Sequence, residues 1–547
     1  MTSARKSGFR LLKLSAAVAA ALALQTAVVN AQTVSDTNTG TAVFSPYYTI
    51  NGGWRTLVNV TNTSANSLAV KFRLHEARNS RDVLDFVVLL SPYDVWTAWI
   101  QEGANGRPFL QTTDRSCTVP ISVRDSGANA SELAYSGVFN DHAATNNNIP
   151  RMSEGYIEVL VMGETAGSGT PPAGTGTVIT AAADANFRGS TAYFAEHVNG
   201  EPRNCTLIQN DFIRRTPAWV QNPANNIPGV EGSGDPWARF VAGTSEVGYG
   251  PITTPAPLKV NVSLVNQSEG TAGGVESLHI AEWGIGFNLV TAQQFPWFLE
   301  PSLASAAGLW TTTGLAAINA GIAALTVANE WTNNPSTGAQ SDWVVTFPTK
   351  RFQTDEDAGN IQAACNVWRY DGSAGGVTAG AAEVGPVWAG WAPATRPNQL
   401  ATVTCPALDF PTVFQDGNNG IAELVVQYDI FDREEGQITV VVDGPVVSPA
   451  PPPEVTIDNL PYEVNVLKIG RDAANLPSAL DSLIALAIDT SQLASSADTG
   501  WLRMSFLDDV QAPVSYPTTG FIFKARNFGD ATLNFGQATE HAYTRPD

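Results

Sequence analysis

The feature that most constrains this chain is a recurring period of two. Leu68, Val70, Phe72 and Leu74 alternate with Ala69, Lys71, Arg73 and His75. Val260, Val262 and Leu264 alternate with Asn261 and Ser263, and Ile438, Val440 and Val442 repeat the pattern. Successive side chains of a strand point to opposite faces, so such runs bury one face and wet the other. Between them lie clusters that turn the chain, such as Glu164 to Gly176 (ETAGSGTPPAGTG) and Gln415 to Gly420 (QDGNNG). The 47 Gly and 34 Pro fit a turn-rich chain. Many short strands separated by turn chemistry predict a mainly β protein of several β-sandwich-like modules, with a few short packing helices. Two helices are expected. One follows the stripe Leu315, Ile318, Ile322 and Leu325; the other follows Leu480, Leu483, Ile484 and Ala487, with Pro477 near its start.

The chain of 547 residues divides by composition. Residues 1–31 carry Arg5, Lys6, Arg10 and Lys13 ahead of an Ala-rich apolar stretch, and Val29-Asn30-Ala31 fits a cleavage site; this reads as a signal peptide. A β-sandwich-like domain is expected over 32–250 and a second β-rich domain with a helical insertion over 251–446. A proline-rich linker, VSPAPPPE, covers 447–454, and a C-terminal β-rich module covers 455–547. A faint repeat crosses these divisions. Val60 to Ser64 resembles Leu264 to Ser268, each followed at the same distance by Leu-His, and Gly155 to Val161 resembles Gly420 to Val426. The order of the matches suggests a duplicated sandwich.

Charge excludes several classes of function. Residues 1–31 hold four cations and no anions, so the remainder carries 26 Lys and Arg against 51 Asp and Glu, a net −25. Nucleic-acid affinity comes mainly from cations that neutralise phosphate, so a nucleic-acid partner is not expected. The mature chain has no apolar run suited to a transmembrane span. The expected location is secreted, at the cell surface or outside the cell, with the periplasm as the other compartment that fits. Cys117, Cys205, Cys365 and Cys405 form an even set in an exported chain and read as two disulfides; Cys117–Cys205 and Cys365–Cys405 are favoured over the two other pairings.

No catalytic constellation is evident. The chain has no Gly-x-Ser-x-Gly elbow, no His-Glu-x-x-His and no phosphate loop, and its five histidines offer few bases. His75 and His279 fall on polar positions and are expected to face solvent. Carboxylate pairs suited to a glycosidase (Asp82 with Asp85, Glu154 with Glu158, Glu276 with Glu282) are too numerous to single one out. Calcium is the metal that acidic loops would hold, at Asp355 and Asp357, at Asp416, or at Asp429 and Asp432. Trp96, Trp99, Trp283, Trp297, Trp310, Trp388 and Trp391 lie on segments expected to be exposed. Trp388 and Trp391, in a Pro/Gly-rich stretch, are the candidate glycan platform.

Several segments carry a resemblance. Phe44 to Trp54 (FSPYYTINGGW), Arg78 to Asp85, Ser91 to Trp96, Trp343 to Lys350, Asp432 to Glu435, Tyr462 to Val466, Gly500-Trp501 and His541 to Arg545 resemble a family of large secreted proteobacterial cell-surface proteins. The resemblance implies an extracellular or surface setting and brings no catalytic residues with it. Composition and resemblance together predict a secreted, non-catalytic structural or interaction protein of the bacterial cell surface: a surface layer, filament, adhesin or matrix component. Its partners would be copies of itself or a surface glycan. The alternative is an extracellular carbohydrate-binding protein or glycan hydrolase.

Overall fold

The structure is a computed structural model. It describes residues 33–132, 135–136, 148–167, 191–214, 248–286, 288–290, 313–334, 336–350, 422–434, 436, 456–494, 498–508 and 511–546. Residues 1–31 and the linker 447–454 lie outside the described residues. The fold is mainly β, as the alternation predicts, and its strands form two sandwiches.

The first sandwich pairs a seven-stranded sheet with a six-stranded one. Strands Ala42–Thr49, Glu154–Ala166, Asn66–Glu76 and Asp82–Leu90 run side by side through the seven-stranded sheet. The six-stranded sheet has the order Thr271–Val275, Leu258–Asn266, Trp54–Asn62, Val95–Glu102, Pro108–Gln111, Ala128–Asn129. The inward halves of the alternating strands meet in a shared core, where Phe72 and Phe86 pack edge-on to Trp96 at ring distances of 5.4 and 5.7 Å. Trp96 and Trp283, expected on exposed segments, are fully buried.

The second sandwich has two five-stranded sheets. One contains Leu424–Asp432, Thr499–Leu507 and Thr326–Thr332; the other contains Val464–Gly470, Ala339–Thr346, Thr519–Arg526 and Phe535–Glu540. Strand pairing therefore cuts across the divisions expected from composition. Residues 258–281 complete the first sandwich, and 456–544 share both sheets of the second with 326–346 and 424–432. Composition shifts mark loops; they do not say which strand a segment will pair with.

The first match of the repeat also has a different meaning from the one expected. Val60 to Ser64 and Leu264 to Ser268 lie on neighbouring antiparallel strands of one sheet, so they are not copies from two sandwiches. What recurs is a corner. The Asn62 side-chain oxygen accepts from Ser64 N and Oγ, and that of Asn266 accepts from Ser268 Oγ and Glu269 N. Asn334 does the same for Ser336 and Thr337. Asn and Ser satisfy the backbone locally where a strand must end, so the same three-letter device is reused.

The two sandwiches share a core. Along the strands of the sheet at their junction, Trp343, Val345, Leu467 and Ile522 face the second sandwich's own interior, while Val344, Val464, Val466, Phe521 and Phe523 belong to the apolar cluster of the first. Trp54 meets Phe523 edge-on at 5.2 Å, and Val464 N donates to Ala77 O at 2.9 Å. Being covered on both faces explains why Val464–Gly470 is buried along almost its whole length, with Lys468 alone half-buried. At the edge of the junction a Cβ on Gly536 would stand 2.8 Å from Ala272 O, so the approach of the two sandwiches requires glycine there.

Helix Thr313–Ile322 forms where the first stripe predicts it, with Ile318 and Ile322 buried. The second expected helix does not form; 477–485 is turn and irregular loop, followed by strand Leu486–Asp489. The reason lies in two buried carboxylates. Asp342 accepts from Leu480 N at 2.9 Å and from Ser478 Oγ. Glu154 accepts from Leu483 N at 2.8 Å, Ser482 Oγ at 2.6 Å and Tyr47 OH at 2.8 Å. Amides taken by these acceptors fix a loop in place of a helix. Among the described residues, no helix is long and apolar enough to cross a membrane.

Candidate binding face

The solvent face of the six-stranded sheet is built by the polar halves of its alternating strands. Arg55, Leu57, Asn59 and Thr61 project from one central strand, and Val95, Thr97, Trp99 and Gln101 from its neighbour. Lys259, Asn261, Ser263 and Val265 flank them on one side, Phe109 and Gln111 on the other. Register sets these into rows: Asn261, Asn59 and Thr97 form one, and Ser263, Leu57, Trp99 and Gln111 the next. Leu57 is 38% exposed and Val95 43%.

None of these positions is Asp or Glu. In a chain with 51 acidic residues that absence sets the face apart. Its two cations, Arg55 and Lys259, stand in the outermost rows, and the central rows carry no formal charge. A hydrogen-bonded series runs across it: Trp99 Nε1 donates to Gln101 Oε1 at 3.2 Å, and Gln101 Nε2 donates to Gln111 Oε1 at 3.1 Å. Each amide is thereby oriented before any ligand arrives. The exposed sheet face of the second sandwich is different. Phe431 and Trp501 stack at 4.3 Å, but beside them stand the Arg503–Asp429 ion pair at 2.6 Å and Glu330.

Other polar groupings have structural roles. On the opposite side of the first sandwich, Arg73 bridges Glu158 at 2.8 Å and Asp82 at 3.1 Å, and Lys71 pairs with Asp85 at 3.1 Å. Burial pushes the Glu158 carboxyl up, but His75 and Arg73 outweigh it and hold the group below its ordinary range. Burial lowers Lys71 and raises Asp82. His75, expected at the surface, is buried and stacks on Tyr156 at 4.7 Å. His279 is buried too: Nε2 accepts from Val260 N at 3.1 Å, and Nδ1 donates to Ser277 O at 2.9 Å. The period-two pattern marked both as polar-face residues and could not show that the face would be covered.

Ser91, His197 and Asp94 bring together the residue types of a hydrolase triad without its geometry. Ser91 Oγ at 3.5 Å and Asp94 Oδ2 at 3.4 Å both meet His197 Nδ1, and Ser91 Oγ donates directly to Asp94 at 3.1 Å. Proton relay needs the serine and the carboxylate on different ring nitrogens. A cleft of about 710 Å³ near the sandwich junction is lined by Asn51, Glu102, Ile149, Asp481, Leu483 and Glu132, the last paired with Arg107 at 3.1 Å. Burial raises the Asp481 carboxyl.

The sequence-predicted sites fall as follows. Cys117 and Cys205 form a disulfide across 88 residues, the pairing favoured from spacing. Cys365, Cys405, Asp355, Asp357, Asp416, Trp297, Trp310, Trp388 and Trp391 lie outside the described residues. Asp429 is engaged by Arg503, and Asp432 accepts from Glu434 N and Gly436 N within its own turn. No three His, Cys, Asp or Glu side chains gather as a metal site among the described residues. Among the described residues, Trp99 is the candidate aromatic that lies on the acid-free face. Its companions were missed, although LVNVT, WTAWIQ and VNVSLVN all show the signal: alternation whose polar half is uncharged.

Comparison with known proteins finds no match to this chain: no family model, no curated protein and no solved structure is similar to it.

Proposed function

We propose that the protein is a secreted, non-catalytic interaction protein of the bacterial cell surface, in which a rigid pair of fused sandwiches presents one sheet face to a partner. The observation that carries this reading is the acid-free face. A chain whose residues 32–547 carry a net charge of −25 is repelled by other anionic surfaces wherever its carboxylates face outward. Among the described residues, a sheet face whose outward strand positions carry no carboxylate is a place where contact costs little. The leader-like residues 1–31 and the resemblance to secreted proteobacterial surface proteins support an extracellular setting. The shared core supports a scaffold role, since it leaves the face on a body that does not flex at a linker.

The test is to express the full chain with its leader in a proteobacterial host and fractionate the cells. Light scattering and negative-stain microscopy on the purified protein accompany it. Recovery with the cell surface, or as ordered assemblies, is expected. A monomer found in the soluble fraction alone, bound to nothing, would sink the proposal.

A further inference from the structure

We propose that the solvent face of the six-stranded sheet binds a neutral polysaccharide, with Trp99 and Leu57 as the apolar floor and Gln101, Gln111, Asn59 and Asn261 as the hydrogen-bonding groups. This deepens the interaction reading above and rests on it. A sugar ring offers an apolar C–H face and a rim of hydroxyls. It is matched by an aromatic or apolar patch beside groups that both donate and accept, and primary amides do both.

The chemistry of the face favours this occupant over others. The central rows have no formal charge, so a neutral ligand desolvates them cheaply, whereas a charged group laid on those rows would lack a pairing charge within them, Arg55 and Lys259 standing in the outermost rows. The Trp99–Gln101–Gln111 series is already ordered, so little rotamer entropy remains to be lost on binding. Its residues stand on neighbouring strands of one sheet, a surface that suits a chain laid across it better than a small molecule, whose sites are concave. From strand rise and spacing, four rows on four strands cover about 20 by 14 Å, or about 280 Å² in projection. A stable dimer contact needs about 800 Å² per partner, so a second copy is not held by this face alone.

Affinity electrophoresis of the full chain tests the proposal, in gels containing amylose, xylan, hydroxyethyl cellulose or laminarin, with alginate as the anionic arm. Retardation by at least one neutral polymer is expected, unchanged by added salt. Trp99→Ala should weaken it by about tenfold through loss of the stacking surface. Asn59→Asp, at an exposed position where folding is not at stake, should weaken it too, because the side chain loses the amide donor and a charge must shed its hydration beneath a neutral ring. No retardation by any neutral polymer overturns the proposal, as does retardation that both variants leave intact or that occurs in alginate alone and fades with salt. Cell fractionation of the same variants separates this from the broader reading. If Asn59→Asp releases the protein from the surface while no neutral polymer retards it, the face docks a protein and only the sugar assignment fails. If wild type shows neither surface association nor retardation, both readings fall.

Discussion

Among the described residues, three buried groups at the junction and in the cores contribute opposing terms to the pH response. Asp342 is fully buried with backbone and hydroxyl donors around one oxygen, and burial raises its carboxyl to about 6. A carboxyl whose folded pKa is raised binds its proton more tightly in the folded state, so its contribution falls as pH rises from about 4 to 6 and is level above that. His541 and His279 act in the other direction. His541 Nε2 donates to Val344 O at 3.0 Å while Nδ1 accepts from Asn329 at 3.1 Å, and burial lowers its pKa to about 3. His279 is lowered to about 4, mainly by burial with Lys259 adding to it. Each has a nitrogen that must remain an acceptor, so acidification below about 6.5 favours the unfolded chain, which takes up the protons. Asp342→Asn keeps an acceptor for Leu480 N and removes the opposing term. The variant should lose stability between pH 6.5 and 4 more steeply than wild type, by roughly 2–3 kcal/mol over the window. Thermal unfolding across that range measures it, and parallel curves would exclude the assignment.

At the level of elements, legibility followed period and stopped at pairing. Strands such as Asn66–Glu76 and Leu258–Asn266 are visible as alternation because one face of each is apolar whatever lies beside it. The helix expected over Leu480 to Ala487 failed because its amides are claimed by Glu154 and Asp342, which stand 329 and 138 residues from the loop amides they hold. The acid-free face is assembled from four strands spread between residues 54 and 266, so its parts are legible singly and its extent only after folding. The disulfide is the element that spacing placed best. Cys205 begins helix Cys205–Arg214, and Cys117 precedes strand Thr118–Val119 at the edge of the seven-stranded sheet. Closing a loop of 88 residues restricts the unfolded chain by an amount worth roughly 4.6 kcal/mol. A Cys117→Ser, Cys205→Ser double variant should unfold at correspondingly lower denaturant. A change below about 1 kcal/mol would mean that packing alone holds the helix to the sheet.

For the whole molecule, the decisive question is whether two sandwiches behave as one body. Domains joined by a linker unfold separately, whereas domains that share a core cannot lose one half without exposing the other. Phe523 makes the distinction measurable. It sits on strand Thr519–Arg526 of the second sandwich, yet it is wholly buried in the apolar cluster of the first, edge-on to Trp54. Removing its ring leaves a cavity at the junction and should cost about 3–5 kcal/mol. In a fused body the wild type shows one calorimetric transition, and Phe523→Ala lowers the stability of both sandwiches together, or splits the transition as the junction weakens. In a pair of independent beads, wild type would already show two transitions, and Phe523→Ala would shift the second sandwich alone. The same outcome governs the binding face, because a face set on one rigid body reaches its partner without first having to order a hinge.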